Sequence, residues 1–345
     1  MVGPGEIARR ARTRVSSHLE SLPILALSVH SACNCRCVMC DIWKANAEKR
    51  EISAPDLARH IEAIRALRVQ RVMLTGGEPL LHRNLWSLCS QLQALRIRMT
   101  LVTTGLLIEA HAAEIARSVD TVVISLDGDR EAHDAIRRVK GAFDRIARGV
   151  MALRAEYPTP RLIARSVVQQ RNCASIDRTV DAAHRMGFDE VSFLAADVST
   201  TAFNRPQPWP SDRVADVAVG GQDLADLAAA IERIAASAPD MLQAGFVAGG
   251  RASLDRIHRY YAALAGHAEF PAVQCNAPWV SAVLEADGML RPCFFHQPYG
   301  PVSDDLEKDL NSASAIGFRQ QLSVETNPTC RRCVCSLHLP LTRAV

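Results

Sequence analysis

Seven of the chain's 11 cysteines fall in two bunches, at positions 33, 35, 37 and 40 and at 330, 333 and 335. An odd total bunched in this way suits metal ligation better than a disulfide framework. The first bunch, Cys33-Asn34-Cys35-Arg36-Cys37-Val38-Met39-Cys40, contains C-x3-C-x2-C, three thiolates near enough in sequence to wrap one inorganic cluster. Structural zinc and ordinary iron-sulfur sites are closed by four protein ligands, whereas three thiolates on a 4Fe-4S cube leave one iron open to a substrate or cofactor. Zinc, or thiols with no ligand role, is the alternative on this segment alone. A second constellation runs from Cys275 through Cys293 to Cys330, Cys333 and Cys335, and thiolates in two pairs also describe a zinc ribbon. Cys89 and Cys173, with apolar or helical neighbours, read as core or surface thiols.

Shorter motifs add polar groups. In Gly76-Gly77-Glu78-Pro79 the paired glycines let backbone carbonyls approach a ligand closely, and Pro79 removes a competing donor. Ser125-Leu126-Asp127-Gly128 and the following His133-Asp134-Ala135-Ile136-Arg137 add further polar groups, although an isolated Asp-Gly is usually just a turn. Thr103, Thr104, Arg165 and Ser166 are further candidates, although strand hydroxyls often only satisfy backbone groups.

These residues need a frame, and hydropathy supplies one. Apolar strands are expected at Ile24–Val29, Arg71–Thr75, Met99–Thr103, Thr121–Leu126, Arg161–Val168 and Glu190–Leu194. Helices are expected between them at Pro55–Leu67, Asn84–Leu95, Ile108–Ser118, Ala142–Ala155 and Ser175–Met186. Repeated βα units with right-handed crossovers give a parallel sheet or an incomplete α/β barrel, whose chemistry sits at the carboxyl ends of the strands. The Cys cluster, Gly76–Pro79, Thr103-Thr104 and Asp127 all fall there. Residues 5–20 read as an Arg-rich helix forming a solvated flap. The stretch Thr200–Gly221, rich in Pro, Ser, Asp and Gly, reads as a long connection with little core of its own. Two helices, Asp223–Ala236 and Arg251–Ala265, lead to a β-hairpin around Asp287-Gly288. The domain reading is an N-terminal extension (1–21), a core (22–199), a linker with bridging helices (200–272) and a C-terminal unit (273–338).

Over about residues 22–196 the sequence resembles the radical S-adenosylmethionine enzymes, whose signature is C-x3-C-x2-C after the first strand of a partial (βα)6 barrel. The resemblance implies an α/β fold in which Cys33, Cys37 and Cys40 hold an open 4Fe-4S cluster. It implies that the cluster binds and cleaves S-adenosylmethionine to a 5'-deoxyadenosyl radical. Cys35 is extra, and a shifted ligand set stays open. Met39 stands where the family usually has an aromatic residue near the adenine. Gly76, Gly77, Glu78 and Pro79 match the turn that accepts hydrogen bonds from the methionine ammonium. Ser125 and Asp127 match residues near the ribose, Arg137 one near the carboxylate, and Thr103 is a weaker contact to the same ligand. The tail resembles the twitch type of auxiliary domain, a shortened relative of the SPASM domain. That implies a second 4Fe-4S cluster on Cys275, Cys293, Cys330 and Cys333, with Cys335 as the alternative to Cys333 and zinc as the alternative occupant.

The chain's 345 residues, 48% hydrophobic and 22% charged, suffice for a large core and exclude general disorder. A net charge of +3 argues for no nucleic-acid partner. Arg9 to Arg14 before the run Leu22–Leu27 and Cys33 only superficially resemble a lipoprotein signal, because Pro23 and His30 interrupt it. No membrane span is expected, and a reducing cytoplasm is the default. By resemblance the substrate is a small sugar- or aminocyclitol-like molecule that becomes oxidised, or alternatively a peptide or protein side chain. A remote third reading is a non-catalytic zinc-thiolate protein. The expected electron donor is a flavodoxin or ferredoxin. No catalytic acid or base is assigned. The small molecule is favoured because no extra N-terminal domain for leader-peptide recognition is visible.

Overall fold

The computed structural model describes residues 2–156 and 159–345; Met1 of the N-terminal extension lies outside them. Helix α1 (Pro4–Ser16) precedes the βα series. The series runs β1 (Ile24–His30), α2 (Ala54–Ala66), β2 (Arg71–Gly76), α3 (Leu85–Ala94), β3 (Arg98–Thr103), α4 (Ala112–Ser118) and β4 (Thr121–Ser125). It continues with α5 (Arg130–Arg137), α6 (Ala142–Ala155), β5 (Arg161–Val168), α7 (Ile176–Met186) and β6 (Glu190–Ala195). All six strands pair parallel to their neighbours in the order β6-β5-β4-β3-β2-β1, forming an open, partial (βα)6 barrel. The apolar runs form these strands because helices cover one face: Leu162, Ala164, Ser166 and Val168 of β5 are buried, while Ile163, Arg165 and Val167 on the other face are half-buried. Helix α2 starts sharply at a reciprocal Ser53–Asp56 capping box.

Register places the strand ends. Ile24 to Leu27 pair with Arg71 to Leu74, an irregularity follows between Ser28 and His30, and His30 then lies opposite Gly76. The exit of β2 is thereby set against the exit of β1.

After β6 come α8 (Ser211–Ala215), α9 (Gln222–Ser237), α10 (Pro239–Gln243), α11 (Gly250–Leu264) and α12 (Ala277–Val280). Strand β7 (Ser281–Leu284) pairs parallel with β1, and β8 (Met289–Arg291) and β9 (Gly300–Pro301) add antiparallel, so the C-terminal hairpin extends the same sheet. Helices α13 (Leu306–Leu310), α14 (Ala313–Gln321) and α15 (Pro328–Arg331) complete the chain. Among the described residues, no helix is long and apolar enough to cross a membrane.

Three local expectations need correction. The N-terminal helix is no solvated flap: Arg10 is buried, paired with Glu6 and bonded to the carbonyls of Leu341 and Arg343. Thr200–Gly221 is no loose connection, since Ala202, Arg205, Val217 and Val219 are buried. The expected helix Ile108–Ser118 divides into a short 3-10 turn at Glu109–His111 and α4.

Tyr261 on α11 ties the carboxyl end of β5 to the exit of its neighbour, the edge strand β6. Its hydroxyl accepts from Ala196 N at 2.8 Å and donates to Val168 O, fully buried. Tyr261→Phe leaves that N–H and carbonyl unanswered, which costs about 1–3 kcal/mol. A denaturant titration of the variant should show that loss, and unchanged stability would mean that water replaces the hydroxyl.

Candidate functional site

The first Cys cluster lies on an irregular loop between β1 and α2, yet Cys35, Cys37, Val38 and Met39 are buried. A buried loop must have its backbone groups satisfied. Asn46 does so for Cys33 on both sides, accepting from its N–H at 2.9 Å and donating to its carbonyl at 2.8 Å. Helix α5 accepts from Arg36 N and Val38 N through the carbonyls of Arg137 and Ile136, at 3.2 and 3.0 Å. Cys35 lies between Cys33 and Cys37, whose sulfurs push its thiol far up in pKa. Cys37 is brought down to about 6, first by the Cys35 hydrogen bond and then by the Arg137 charge against the cost of burial. Burial, with Cys37 and Cys33 nearby, pushes Cys40 up to about 12. The loop thus gathers four thiols where the spacing motif uses three.

The Gly76–Pro79 turn is built against this loop. Gly77 N donates to His30 O at 2.8 Å and Glu78 N to Ala32 O at 2.9 Å. Neither glycine has room for a side chain: a Cβ would lie 2.4 Å from His30 O at Gly76 and 2.2 Å from Ala32 O at Gly77. Gly76 also has φ +126°. The Glu78 carboxylate is fully buried and accepts from Leu80 N (3.0 Å), Thr103 Oγ1 (2.8 Å), Thr104 N (2.6 Å) and Thr104 Oγ1 (2.6 Å). Burial raises its pKa and those donors oppose the rise. Thr104 Oγ1 also lies 2.9 Å from Asn34 Oδ1, joining the exit of β3 to the Cys loop. Glu78 and Thr103 therefore fasten three strand ends together, while the turn's backbone faces the loop.

Asp127 and Arg137 form a buried pair, Nε to Oδ2 at 2.6 Å, and Arg137 Nη1 reaches Cys37 Sγ at 3.5 Å. Asp127 also accepts from Val167 N at 2.9 Å, so its carboxylate is occupied within the protein. Ser125, at the end of β4, is half-buried. His133 is fully buried, its Nδ1 accepting from Asp127 N at 3.1 Å and its Nε2 without a partner. Burial and the Arg137 charge bring it down to about 4.

A third layer escaped sequence reasoning. The strap 197–217 after β6 covers the loop: Arg213 donates to Val38 O, Arg205 to Met39 O and Trp209 Nε1 to Asp41. Only the distance in sequence hid it, because Arg and Trp in a Pro-rich stretch carry no periodic signal.

The second set of thiols also converges. Cys330 feels Cys293 and Cys275, and burial with those neighbours pushes it up to about 12. Cys333, raised chiefly by burial, feels Cys335, Cys275 and Cys293. Asn327 caps α15 by accepting from Thr329 N and Cys330 N, which fixes Cys330. His296 Nε2 lies 3.3 Å from Cys330 Sγ. Cys335 is exposed, and Cys89 and Cys173 are buried core thiols outside both groups.

Among the described residues, no three Cys, His, Asp or Glu side chains are set to grip a single metal ion. A lone zinc draws its sulfurs to about 2.3 Å. An all-thiolate donor set suits a zinc ion or an iron-sulfur cluster.

Residues 27–168 match the sequence model of the Radical SAM superfamily. A probable GTP 3',8-cyclase of Methanopyrus kandleri is 33% identical over 136 residues, covering 39% of this chain and 44% of that protein. The AdoMet-dependent heme synthase of Methanosarcina barkeri is 28% identical over 169 residues, 48% of each. The chain thus spans about half the length of the curated relatives it matches. In fold it is similar to Streptococcus suis SuiB bound to S-adenosylmethionine, with a TM-score of 0.65, 17% identity and coverage of 96% of this chain and 76% of that one. It is also similar to native anSMEcpe with bound AdoMet, at TM-score 0.62 and 16% identity over 90% and 86% of the two chains.

His133 makes the site acid-sensitive. Its folded pKa lies below the unfolded value of about 6.5, so its stabilisation is present above that pH and lost as pH falls towards 4, up to about 3 kcal/mol. Denaturant titrations across that window should show the loss, and His133→Gln should flatten it. An equal slope in the variant would assign the loss to other groups.

Proposed function

The chain carries a Radical SAM superfamily domain over residues 27–168, and on that premise we propose that it is an enzyme that reductively cleaves S-adenosylmethionine. That cleavage would supply a 5'-deoxyadenosyl radical able to abstract a hydrogen atom from an unactivated carbon of the substrate. One observation carries the reading: the start of the loop that bears Cys33, Cys37 and Cys40 packs against a turn with no room for side chains at Gly76 and Gly77. When bound, a three-thiolate 4Fe-4S cluster supplies an open iron and one electron.

The chain's own residues bind and aim. Cys33, Cys37 and Cys40 hold the cluster, and Cys35 stays a buried thiol. The Gly76–Pro79 backbone faces the methionine end of the cofactor, and Glu78 and Thr103 hold that backbone in place. Met39 offers apolar contact to the adenine and Ser125 a hydroxyl to the ribose. Asp127 and Arg137 act on the loop rather than on solvent-side ligands, since each is occupied by the other. Cys275, Cys293, Cys330 and Cys333, with Cys335 able to replace Cys333, hold a second 4Fe-4S cluster in a C-terminal unit of residues 273–338. A cluster closed by four thiolates cannot chelate substrate. Such a cluster would supply an acceptor for the electron of the substrate radical, and proton loss from the substrate would complete a two-electron oxidation.

The substrate read first is a small sugar- or aminocyclitol-like alcohol, a reading helped by the strap 197–217, which lies against the Cys loop and leaves less open space beside it. A peptide is the second reading, favoured by the likeness in fold to SuiB bound to precursor peptide SuiA. A flavodoxin or ferredoxin is the expected electron donor.

Anaerobic reconstitution tests this. Ala at Cys33, Cys37 or Cys40 should lose about four irons and Cys35→Ala none; equal loss at Cys35 would shift the ligand set. A triple Ala variant at Cys33, Cys37 and Cys40 should keep about four irons on the second site, and zinc there without sulfide would make it a ribbon. Cys335→Ala should be milder than Cys330→Ala. With dithionite and substrate, Cys293→Ala should lose product while still forming some 5'-deoxyadenosine; unchanged product would remove the electron-acceptor role.

A further inference from the structure

Arg205, in the strap after β6, has a side chain 0% exposed, and so nearly does its partner Asp197 at 1%. Nη1 donates to the Asp197 carboxylate at 2.9 Å and Thr200 O at 3.3 Å, and Nη2 to Asp197 O at 2.8 Å and Met39 O at 3.5 Å. The guanidinium lies 3.9 Å from the centre of the Trp209 ring and 5.6 Å from that of Phe203. Trp209 is pinned in turn by its bond to Asp41 at 2.8 Å. Met39 and Asp41 are the two neighbours of Cys40, so the whole assembly closes on one cysteine of the loop.

Two features do not follow from packing. The Nε–H of Arg205 is buried and has no acceptor among the described residues, a state that costs free energy. Phe203 and Asn204 are both left-handed, at φ +61° and +63°, a rare state for phenylalanine that persists only when surroundings enforce it. A well-packed apolar residue in place of a buried ion pair would often be as stable or more so. The cation is therefore maintained for something other than the core.

We propose that Arg205 is a positioning residue for the cluster on Cys33, Cys37 and Cys40, its free Nε–H donating to an acceptor that arrives with the cluster and its charge favouring the reduced state. The inference rests on the open-cluster reading above. Reduction adds one negative charge to the cluster, and a fixed cation nearby stabilises the more negative form. Asp197 opposes this only in part, because its carboxylate is also engaged by Thr200 Oγ1 at 2.6 Å. At low effective dielectric the remaining field changes the reduced-to-oxidised ratio by about tenfold.

The test is a potentiometric titration followed by electron paramagnetic resonance on the full, anaerobically reconstituted chain, reading the signal that changes when S-adenosylmethionine is added. Arg205→Met should lower the midpoint, leaving about tenfold less reduced cluster at the parent midpoint. Asp197→Asn should raise it, and Arg205→Lys should fall between parent and Met. Opposite shifts are not what simple loosening of the strap would give. Shifts of the same sign, or none with iron content intact, overturn the role of Arg205. Should Arg205→Met fail to fold, Asp197→Asn decides alone: an upward shift supports the role, and no shift or a downward one overturns it. If the parent chain gives no signal sensitive to S-adenosylmethionine, the open-cluster reading falls, and the role of Arg205 with it.

Discussion

A buried loop without secondary structure must find partners for every backbone polar group it hides, and in this protein that requirement falls on the segment after β1. Strands and helices satisfy their own N–H and C=O groups; the Cys loop does not. Its partners come from four places in the chain: Asn46 farther along the same connection, the Gly76–Glu78 turn, the last turn of α5, and the strap of Arg205 and Arg213. Shortening or straightening the loop would lift this demand, but it would also spread the thiols. The chain accepts a costly loop because close thiols need a tight, irregular path.

The same demand explains the buried charges. Two arginine–aspartate pairs flank the loop, Arg137–Asp127 on the side of Cys37 and Arg205–Asp197 on the side of Met39. Each arginine spends one edge of its planar fork on a carboxylate and points another at the loop, a geometry that lysine cannot copy. Desolvating such pairs is unfavourable by several kcal/mol per ion before their attraction is counted. Their value lies in geometry: a rigid donor placed from a neighbouring element onto a sulfur or a carbonyl.

What the sequence makes legible follows from how each part is stabilised. Strands such as Arg161–Val168 and helices such as Ala142–Ala155 carry continuous or periodic apolar patterns, and they lie where the pattern puts them. Helix α5 has no such pattern, because Arg130, Glu131 and Asp134 interrupt it and only the Asp129 cap announces it. The Cys, Gly-Gly and Asp motifs stand out by type and spacing, whereas Asn34, Asn46, Asp197 and Arg205 do not. Their importance arises from contacts across long separations, 166 residues between Met39 and Arg205, and no local window encodes such a contact.

Strand β1 joins the two thiol sites more firmly than any linker. It is paired on one side with β2, whose exit carries the glycine turn, and on the other with β7, which opens the hairpin leading to Cys293. Ile24 to Leu27 make both ladders at once. A shift of this strand by one residue would turn Leu25 and Leu27 out of the core and displace both sites together. Side chains bridge the top as well, with Phe203 of the strap edge-on to Phe295 at 6.1 Å and Gln297 donating to Thr201 at 3.2 Å. The two groups of cysteines are thus tied together both through the sheet and through these contacts of the strap.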